Sequence, residues 1–357
     1  MVNDKKGKAI SAAGPVIIDI DGSYGSGGGQ VVRTSVGLSA VTGKPCRITN
    51  IRAGRPKPGL AAQHLKGIEA VAKLCNAELK GASIGSTEIT FIPNKIKTNS
   101  LKIDIGTAGS VTLVLQALMI PAVHAKQPIE FEITGGTHVK WSPTTGYFRH
   151  VFSEYMKMMG IEITSETEKY GYFPKGGGRI KVKVNPAEKI KPITIEKRKG
   201  HALTEAWSNA SRELIKPGVG ERQNQAASQA LKIDKKNTKY VPSASIGSSI
   251  TIASSFDNCF LGANSLGERG KPAEKVGKEA ATELKQALDS KATVDSHMAD
   301  QLLPYMALGN GKSVIIAPEI TDHAKTNMRV IEKFLDVKFS IKEISGCVQI
   351  SCLGVSL

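Results

Sequence analysis

One unit recurs three times along this chain in a fixed order: a helix of small residues, a turn, a strand, a second helix and two closing strands. In the first copy the helix is QVVRTSVGLSAVTG, ended by Gly43 and barred from continuing by Lys44-Pro45. The strand CRITNI follows. The helix AAQHLKGIEAVAKLC then sets Leu65, Ile68, Val71, Ala72 and Cys75 at helical spacing. AELKGAS and STEITFIP close the unit, the latter alternating with period two. The second copy runs from IDIGTAGSVTLVLQALMIPAVHAKQP through IEFEIT and the helix GYFRHVFSEYMKMMG to IEITSETEK and RIKVKVNP. The third joins VDSHMADQLLPYMALGNGKS and SVIIAPEI to the helix HAKTNMRVIEKFL and the strands VKFSIKEIS and CVQISCL. The order predicts one α/β (α+β) domain over residues 16–185 and 293–357. Residues 186–292 interrupt it. KIKPITIEKRKG, with Pro192 and a charge run, reads as a domain crossing. After it come a helix in SRELIKPGVGERQNQAASQALK, a strand in SSITIASSF and the helix PAEKVGKEAATELKQALDS, with Pro272 in its first turn. This is the pattern of a small α/β insert domain. Residues 1–15 read as a disordered basic tail with no apolar signal-like core.

Charge narrows the partners. Lys and Arg number 48 against 32 Asp and Glu, a formal charge of +16. That excess favours an anionic partner such as nucleic acid, a nucleotide or an acidic membrane surface, although a solvated basic surface gives the same total. No charge-free apolar run approaches the roughly 18 residues of a membrane span. The cysteines, Cys46, Cys75, Cys259, Cys347 and Cys352, are odd in number and scattered. They predict buried free thiols, no structural zinc and a reducing, cytoplasmic setting.

Four segments carry candidate chemistry. IDGSYGSGGGQVVRT, residues 20–34, is a strand running into a glycine cluster and a helix. Such a turn lets backbone N–H groups and a helix N-terminus approach an anion, and a bare strand-to-helix turn has the same sequence. NIRAGRPKPGLAAQH, residues 50–64, sets Arg52, Arg55 and Lys57 on a loop stiffened by Pro56 and Pro58, with Gln63 and His64 opening the next helix. Guanidinium forks there suit phosphate. DIGTAGSVTLVLQ, residues 104–116, is a second glycine turn; Gln116 either satisfies a core hydrogen bond or reads a base. DSHMADQLLPYMA and EITDHAKTN bring Asp295, His297, Asp300, Gln301 and His323 beside apolar runs. Imidazole is a competent nucleophile towards phosphorus. Spacing alone does not select His323 over His297 or His64.

Together these segments resemble the RNA 3′-terminal phosphate cyclase family. The resemblance covers nearly the whole chain after about residue 16 and rests on DGSYGSGGGQVVRT, TGKP, NIRAGRPKPGLAAQHL, GTAGSVTLVLQ, GGTHVKWSP, YFPKGGG, GERGKPAEKVG, ADQLLPYMAL and HAKTN. It implies three βαβαββ-type repeats in the large domain and a thioredoxin-like insert. It also implies ATP, with Mg²⁺ or Mn²⁺, as cofactors and an RNA bearing a 3′-terminal phosphate as partner. Members adenylylate a histidine, pass AMP to the RNA phosphate, and let the neighbouring 2′-OH close a 2′,3′-cyclic phosphate. Carried over by motif, His323 is the nucleophile. Gln116, Pro143, His297, Asp300 and Gln301 line the nucleotide pocket, and Arg33, Arg52, Arg55 and Gln63 hold phosphates. One departure stands out. The family's metal-binding Glu in GEGGGQ is here Ser26, a neutral and weak ligand for Mg²⁺.

The implied chemistry is an electrostatic problem: a neutral nitrogen must approach an anionic phosphorus, which arginines, a metal and helix N-termini make easier. Cyclisation then gains from the closeness of the 2′-OH. Such a site holds an RNA end and needs little base specificity. An aromatic content of 5% offers no stacking stripe in the sequence. Ser26 leaves room for an alternative, a non-catalytic cyclase-like RNA-processing factor. No membrane partner is expected, and the oligomeric state, a homodimer included, stays open.

Overall fold

The computed structural model describes residues 16–25 and 28–357. The expected tail and Ser26 lie outside the described residues. In the first unit β1 (Ile18–Asp21) runs parallel to β2 (Cys46–Thr49), and β2 and β3 (Glu78–Lys80) both run antiparallel to β4 (Ile89–Ile92). The sheet order is β1-β2-β4-β3. Two helices cross it, α1 (Gly29–Thr42) and α2 (Ala62–Cys75). Gly43 ends α1 at φ +70°, its N–H closing onto the Ser39 carbonyl.

The second unit repeats this pairing. β5 (Ser100–Asp104) is parallel to β6 (Ile129–Gly135), and β6 and β7 (Glu162–Lys169) are antiparallel to β8 (Gly178–Asn185), in the order β5-β6-β8-β7. Its first helix is α3 (Val111–Ala122). Its second opens as α4 (Thr145–Tyr147), widens into a π turn over Phe148–Phe152, and continues as α5 (Ser153–Met158).

In the third unit α8 (Ser296–Leu308) and α9 (Asp322–Phe334) accompany β13 (Lys312–Ala317), β14 (Phe339–Ile344) and β15 (Cys347–Leu353), ordered β13-β15-β14. The place of a first strand is taken by residues 193–195. Thr194 bridges Val314 in parallel, with Ile195 N–H donating to the Val314 carbonyl at 2.8 Å and Val314 N–H to the Ile193 carbonyl at 2.7 Å. The start of the expected insert therefore pairs with the large domain's sheet. The chain leaves after that pairing and returns as α8.

Between these points lie β9 (Leu203–Ser211), a 3₁₀ turn (Arg212–Leu214), α6 (Val219–Ala230), β10 (Lys235–Val241), β11 (Ser248–Ser255), β12 (Phe260–Leu266) and α7 (Ala273–Asp289). They form a separate sheet, β10-β9-β11-β12, with β9 and β10 parallel and the rest antiparallel. The sequence pattern showed only β11 of these strands, because edge strand β10 (KKNTKYV) is largely polar and exposed. Pro272 sits at the N-cap of α7, one residue ahead of its expected place.

The core lies where α1, α2, α3, α8 and α9 meet. Small residues permit the close approach: a Cβ on Gly37 of α1 would stand 2.9 Å from Ile120 Cδ1 of α3. α3 is apolar nearly all round, as a helix held between other helices must be. All five cysteines are free and buried. Among the described residues no helix is long and apolar enough to cross a membrane.

Candidate active site

The site grows from the N-terminus of α1. Gly28 is its N-cap, with no side-chain cap among the described residues, so α1 presents its positive end here. Gly29 is required by contact: a Cβ there would fall 2.1 Å from His64 Nε2 and 3.1 Å from Arg33 Nη1. His64 Nδ1 accepts the Ala61 N–H at 3.2 Å, so the neutral imidazole carries its proton on Nε2, the nitrogen against Gly29. Burial, then Arg33 and Arg52, hold the His64 pKa down to about 3. The ring is thus an uncharged N–H donor beside two cations.

Arg33 extends from the second turn of α1. Burial draws its pKa down to about 10, against the pull of Asp300, and it stays cationic at neutral pH. Arg52 adopts φ +54° and donates from Nη1 to the Gly59 carbonyl at 2.6 Å. Arg55 N–H closes the turn onto the Arg52 carbonyl at 3.0 Å. Gly59 fixes this loop, because a Cβ there would meet the Gly85 carbonyl at 2.1 Å. Gln63 Oε1 accepts the Ser110 N–H at 2.8 Å, tying the arginine loop to the second glycine turn.

His323 is the second residue of α9. Thr321 caps that helix, its Oγ1 accepting the Ala324 N–H at 3.0 Å. Partial desolvation, then Arg33 and Arg55, hold the His323 pKa below the ordinary imidazole range. α9 is pressed onto the glycine loop. Gly25, at φ +60°, leaves no room for a Cβ, which would lie 2.2 Å from Thr326 Oγ1. The Arg329 guanidinium stacks 3.9 Å from the Tyr24 ring centroid, and Lys333 Nζ donates to the Asp19 carbonyl at 2.7 Å.

α8 supplies the third wall. Buried Asp295 caps it, accepting from His297 N–H at 3.0 Å, Met298 N–H at 2.9 Å, the Tyr147 hydroxyl at 2.6 Å and Gly262 N–H at 3.0 Å. Gln116 Nε2 donates to Gln301 Oε1 at 3.2 Å, and Gln301 Nε2 to the His297 carbonyl at 3.0 Å. Glu283, 3.2 Å from His297 Nε2, raises that imidazole to about 9. Desolvation pushes Asp300 up to about 7 against His297 and Arg33. Thr34 Oγ1 donates to Asn327 Oδ1 at 2.7 Å and Asn327 Nδ2 to the Asp300 carbonyl at 2.8 Å, so one buried amide bolts α1, α9 and α8 together.

Arg33, Arg52, Arg55 and His323 are thereby electrostatic neighbours, Arg33 coupled to Asp300 and His323 to His297. Gln116 and Gln301 touch. Pro143 joins less directly: its carbonyl accepts from Thr112 Oγ1 at 2.7 Å, at the start of α3. The Nε2–H of His64 and the Thr34–Asn327 bolt went unassigned in the sequence, where only the spacing of Gln63-His64 after the arginine loop hinted at the former. No group of three or more His, Cys, Asp or Glu that could hold a metal occurs among the described residues. Asp21 Oδ1 already accepts from the Ser23 N–H and hydroxyl and from Asn50 Nδ2, which lower its pKa. The described donors therefore do not build a cation cage.

Residues 24–341 match the family model described as RNA 3'-terminal phosphate cyclase. The chain is 43% identical over 341 residues to a protein of that name from Methanopyrus kandleri, covering 92% of this chain and 96% of the relative. It is 44% identical over 332 residues to one from Pyrococcus furiosus, covering 91% and 95%. For a third, from Methanosarcina barkeri, identity is 44% over 339 residues, covering 94% and 99%.

Proposed function

Because the chain belongs to the RNA 3′-terminal phosphate cyclase family, we propose that it converts an RNA 3′-terminal phosphate into a 2′,3′-cyclic phosphate at the expense of ATP, as a ligase, through a covalent adenylyl-histidine. The observation that carries this reading is the company of His323. It sits in the first turn of α9 with Arg33 and Arg55 close enough to depress its pKa, against the loop that opens α1. A neutral imidazole with cations and a helix N-terminus beside it suits attack on an anionic phosphorus.

A ring nitrogen of His323 donates its lone pair to the α-phosphorus of ATP, the bond to the bridging oxygen breaks, and pyrophosphate leaves with that oxygen. An oxygen of the RNA 3′-phosphate attacks the same phosphorus, the P–N bond breaks, and His323 recovers its lone pair. The product is RNA(3′)pp(5′)A. The 2′-OH then attacks the RNA phosphorus, its proton passes to solvent, the bridging P–O bond breaks and AMP leaves with that oxygen. In this reading Arg33, Arg52, Arg55, Gln63 and the Nε2–H of His64 hold phosphate oxygens, while Gln116, Pro143, His297, Asp300 and Gln301 hold the nucleoside. The divalent cation has no cage of described protein donors, so no step is assigned to a protein-held metal.

Five buried thiols fit a reducing, cytoplasmic setting. Ser26 favours the second reading, a cyclase-like factor without turnover. The test is a 5′-labelled oligoribonucleotide with a 3′-phosphate, incubated with the protein, ATP and Mg²⁺ or Mn²⁺. A product whose terminal phosphate resists phosphatase is expected. Full recovery of the sensitive monoester with folded protein would overturn cyclisation and leave the binding-factor reading.

A further inference from the structure

Among the described residues, two large aromatic side chains stand out into the solvent. Trp141 is 94% exposed and Phe173 is 76% exposed. Trp141 also holds φ +60°, a left-handed conformation that a bulky L-residue rarely adopts. Strain kept at an exposed residue points to a use outside the fold.

The two residues belong to loops fastened to each other. Thr137 and His138 donate their N–H groups to the Gly171 carbonyl at 2.9 and 3.2 Å, and the His138 ring stacks on Tyr170 with centroids 5.1 Å apart. Both loops close on the second glycine turn, for a Cβ on Gly136 would lie 2.4 Å from the Ala108 carbonyl and one on Gly176 would lie 2.7 Å from Ala108 Cα. A third segment joins from the insert: Tyr170 bridges Ser243, and Lys175 N–H donates to Ser245 Oγ at 3.0 Å. Across residues 136–149, 170–178 and 239–247 there is no Asp or Glu, while Lys140, Arg149, Lys175 and Lys239 are all exposed. Lys140 pairs with Glu268 at 2.6 Å, and Lys239 lies over the Tyr170 ring. Buried hydrogen bonds tie the patch to the candidate active site. Gln63 bonds Ser110, Ser110 Oγ lies 2.8 Å from Thr112 Oγ1, and Thr112 bonds the Pro143 carbonyl two residues beyond Trp141.

We propose that this rim is the track for the single-stranded RNA behind its 3′-phosphate, with Trp141 stacking on a base, Phe173 making a second base contact, and Lys175 and Lys239 meeting the backbone. Segments with no carboxylate of their own, Glu268 reaching in to Lys140, suit a polyanion, and exposed aromatic faces suit unpaired bases of any sequence. The track rests on the cyclase reading. It differs from the sequence expectation in that scarce aromatics can still be concentrated at one place.

The test uses the full chain and two probes, a 3′-phosphorylated dinucleotide and an octanucleotide, with binding read by fluorescence anisotropy before ATP is added and cyclisation assayed after addition of ATP and Mg²⁺ or Mn²⁺. Trp141 and Trp207 are the two tryptophans, and Trp207 is stacked on His150 at 3.7 Å, so intrinsic quenching by the longer probe reports mainly on Trp141. The octanucleotide should bind about tenfold more tightly than the dinucleotide. That ratio should fall towards one in Trp141→Ala, fall partly in Phe173→Ala, and return in Trp141→Phe. A ratio that persists in both alanine variants, with the octanucleotide still cyclised, overturns the track alone. A wild-type chain that neither binds nor cyclises either probe overturns the cyclase reading and the track with it.

Discussion

Thr34 and Asn327 lie 293 residues apart in sequence, and Thr34 Oγ1 donates to Asn327 Oδ1 at 2.7 Å inside the protein. The other end of the same amide holds the Asp300 carbonyl. Helices α1, α9 and α8 therefore share one side chain. Local geometry on any one of them is set by the other two.

Asn327→Ala should cost stability and ground-state fit together. It removes two hydrogen bonds from a residue 2% exposed and strands the Thr34 hydroxyl. The expected loss is about 1–3 kcal/mol of unfolding free energy. If α8 and α1 separate as a result, KM for ATP should rise more than kcat falls. Urea unfolding and steady-state kinetics on one preparation check both; unchanged stability would show that the amide is not a bolt.

The loop of Gly25 and the helix of His323 are coupled by contact. Gly25→Ala forces a Cβ to within 2.2 Å of Thr326 Oγ1 at a backbone φ of +60°. Activity should drop by at least tenfold. Adding Thr326→Ala removes the clashing oxygen, leaving only the ordinary 3.5 Å contact to its Cβ, and should restore part of the loss. A double-mutant cycle should give a coupling energy of at least about 0.5 kcal/mol. Strict additivity would mean that loop and helix do not communicate through this contact.

The pH dependence of the first step follows from the charges around His323. Its pKa lies below the ordinary 6.5 because of desolvation and because Arg33 and Arg55 disfavour the imidazolium. The nucleophile therefore stays neutral at more acidic pH than an isolated histidine, and the acid limb of adenylylation should lie below 6.5. Arg55→Ala removes one cation and should move that limb upward. Asp300, raised to about 7, titrates nearby, so the limb is to be compared in Asp300→Asn, where only the histidine contribution remains. A limb unmoved by loss of Arg55 would contradict the electrostatic account.

How much of this was legible beforehand depended on the kind of signal. The order of helices and strands could be read because amphipathic helices such as HAKTNMRVIEKFL break straight into alternating strands. The insert was less legible: β9 carries polar residues at buried positions, such as Ser208, which hydrogen-bonds Gln223, and β10 is a charged edge. Candidate anion ligands could be read from the stiff arginine loop. Spacing could not separate His323 from His64, because the difference is tertiary. His64 spends its Nδ1 on the Ala61 N–H and lies buried against Gly29, whereas His323 stands at an exposed helix start. Thr326 and Asn327 belong to the HAKTN segment that carries the resemblance, yet the contacts they make are structural: one packs against Gly25, the other bolts three helices.

The central claim is that His323 takes the adenylyl group. The measurement is incubation of the full-length protein with α-labelled ATP and Mg²⁺ or Mn²⁺, then a denaturing gel with acid and base treatment, with His323→Ala beside it. The account predicts label on the protein that is lost in acid, stable in base and absent from His323→Ala. Folded wild-type protein that takes no label at any concentration of either metal would contradict it, as would label that persists in His323→Ala.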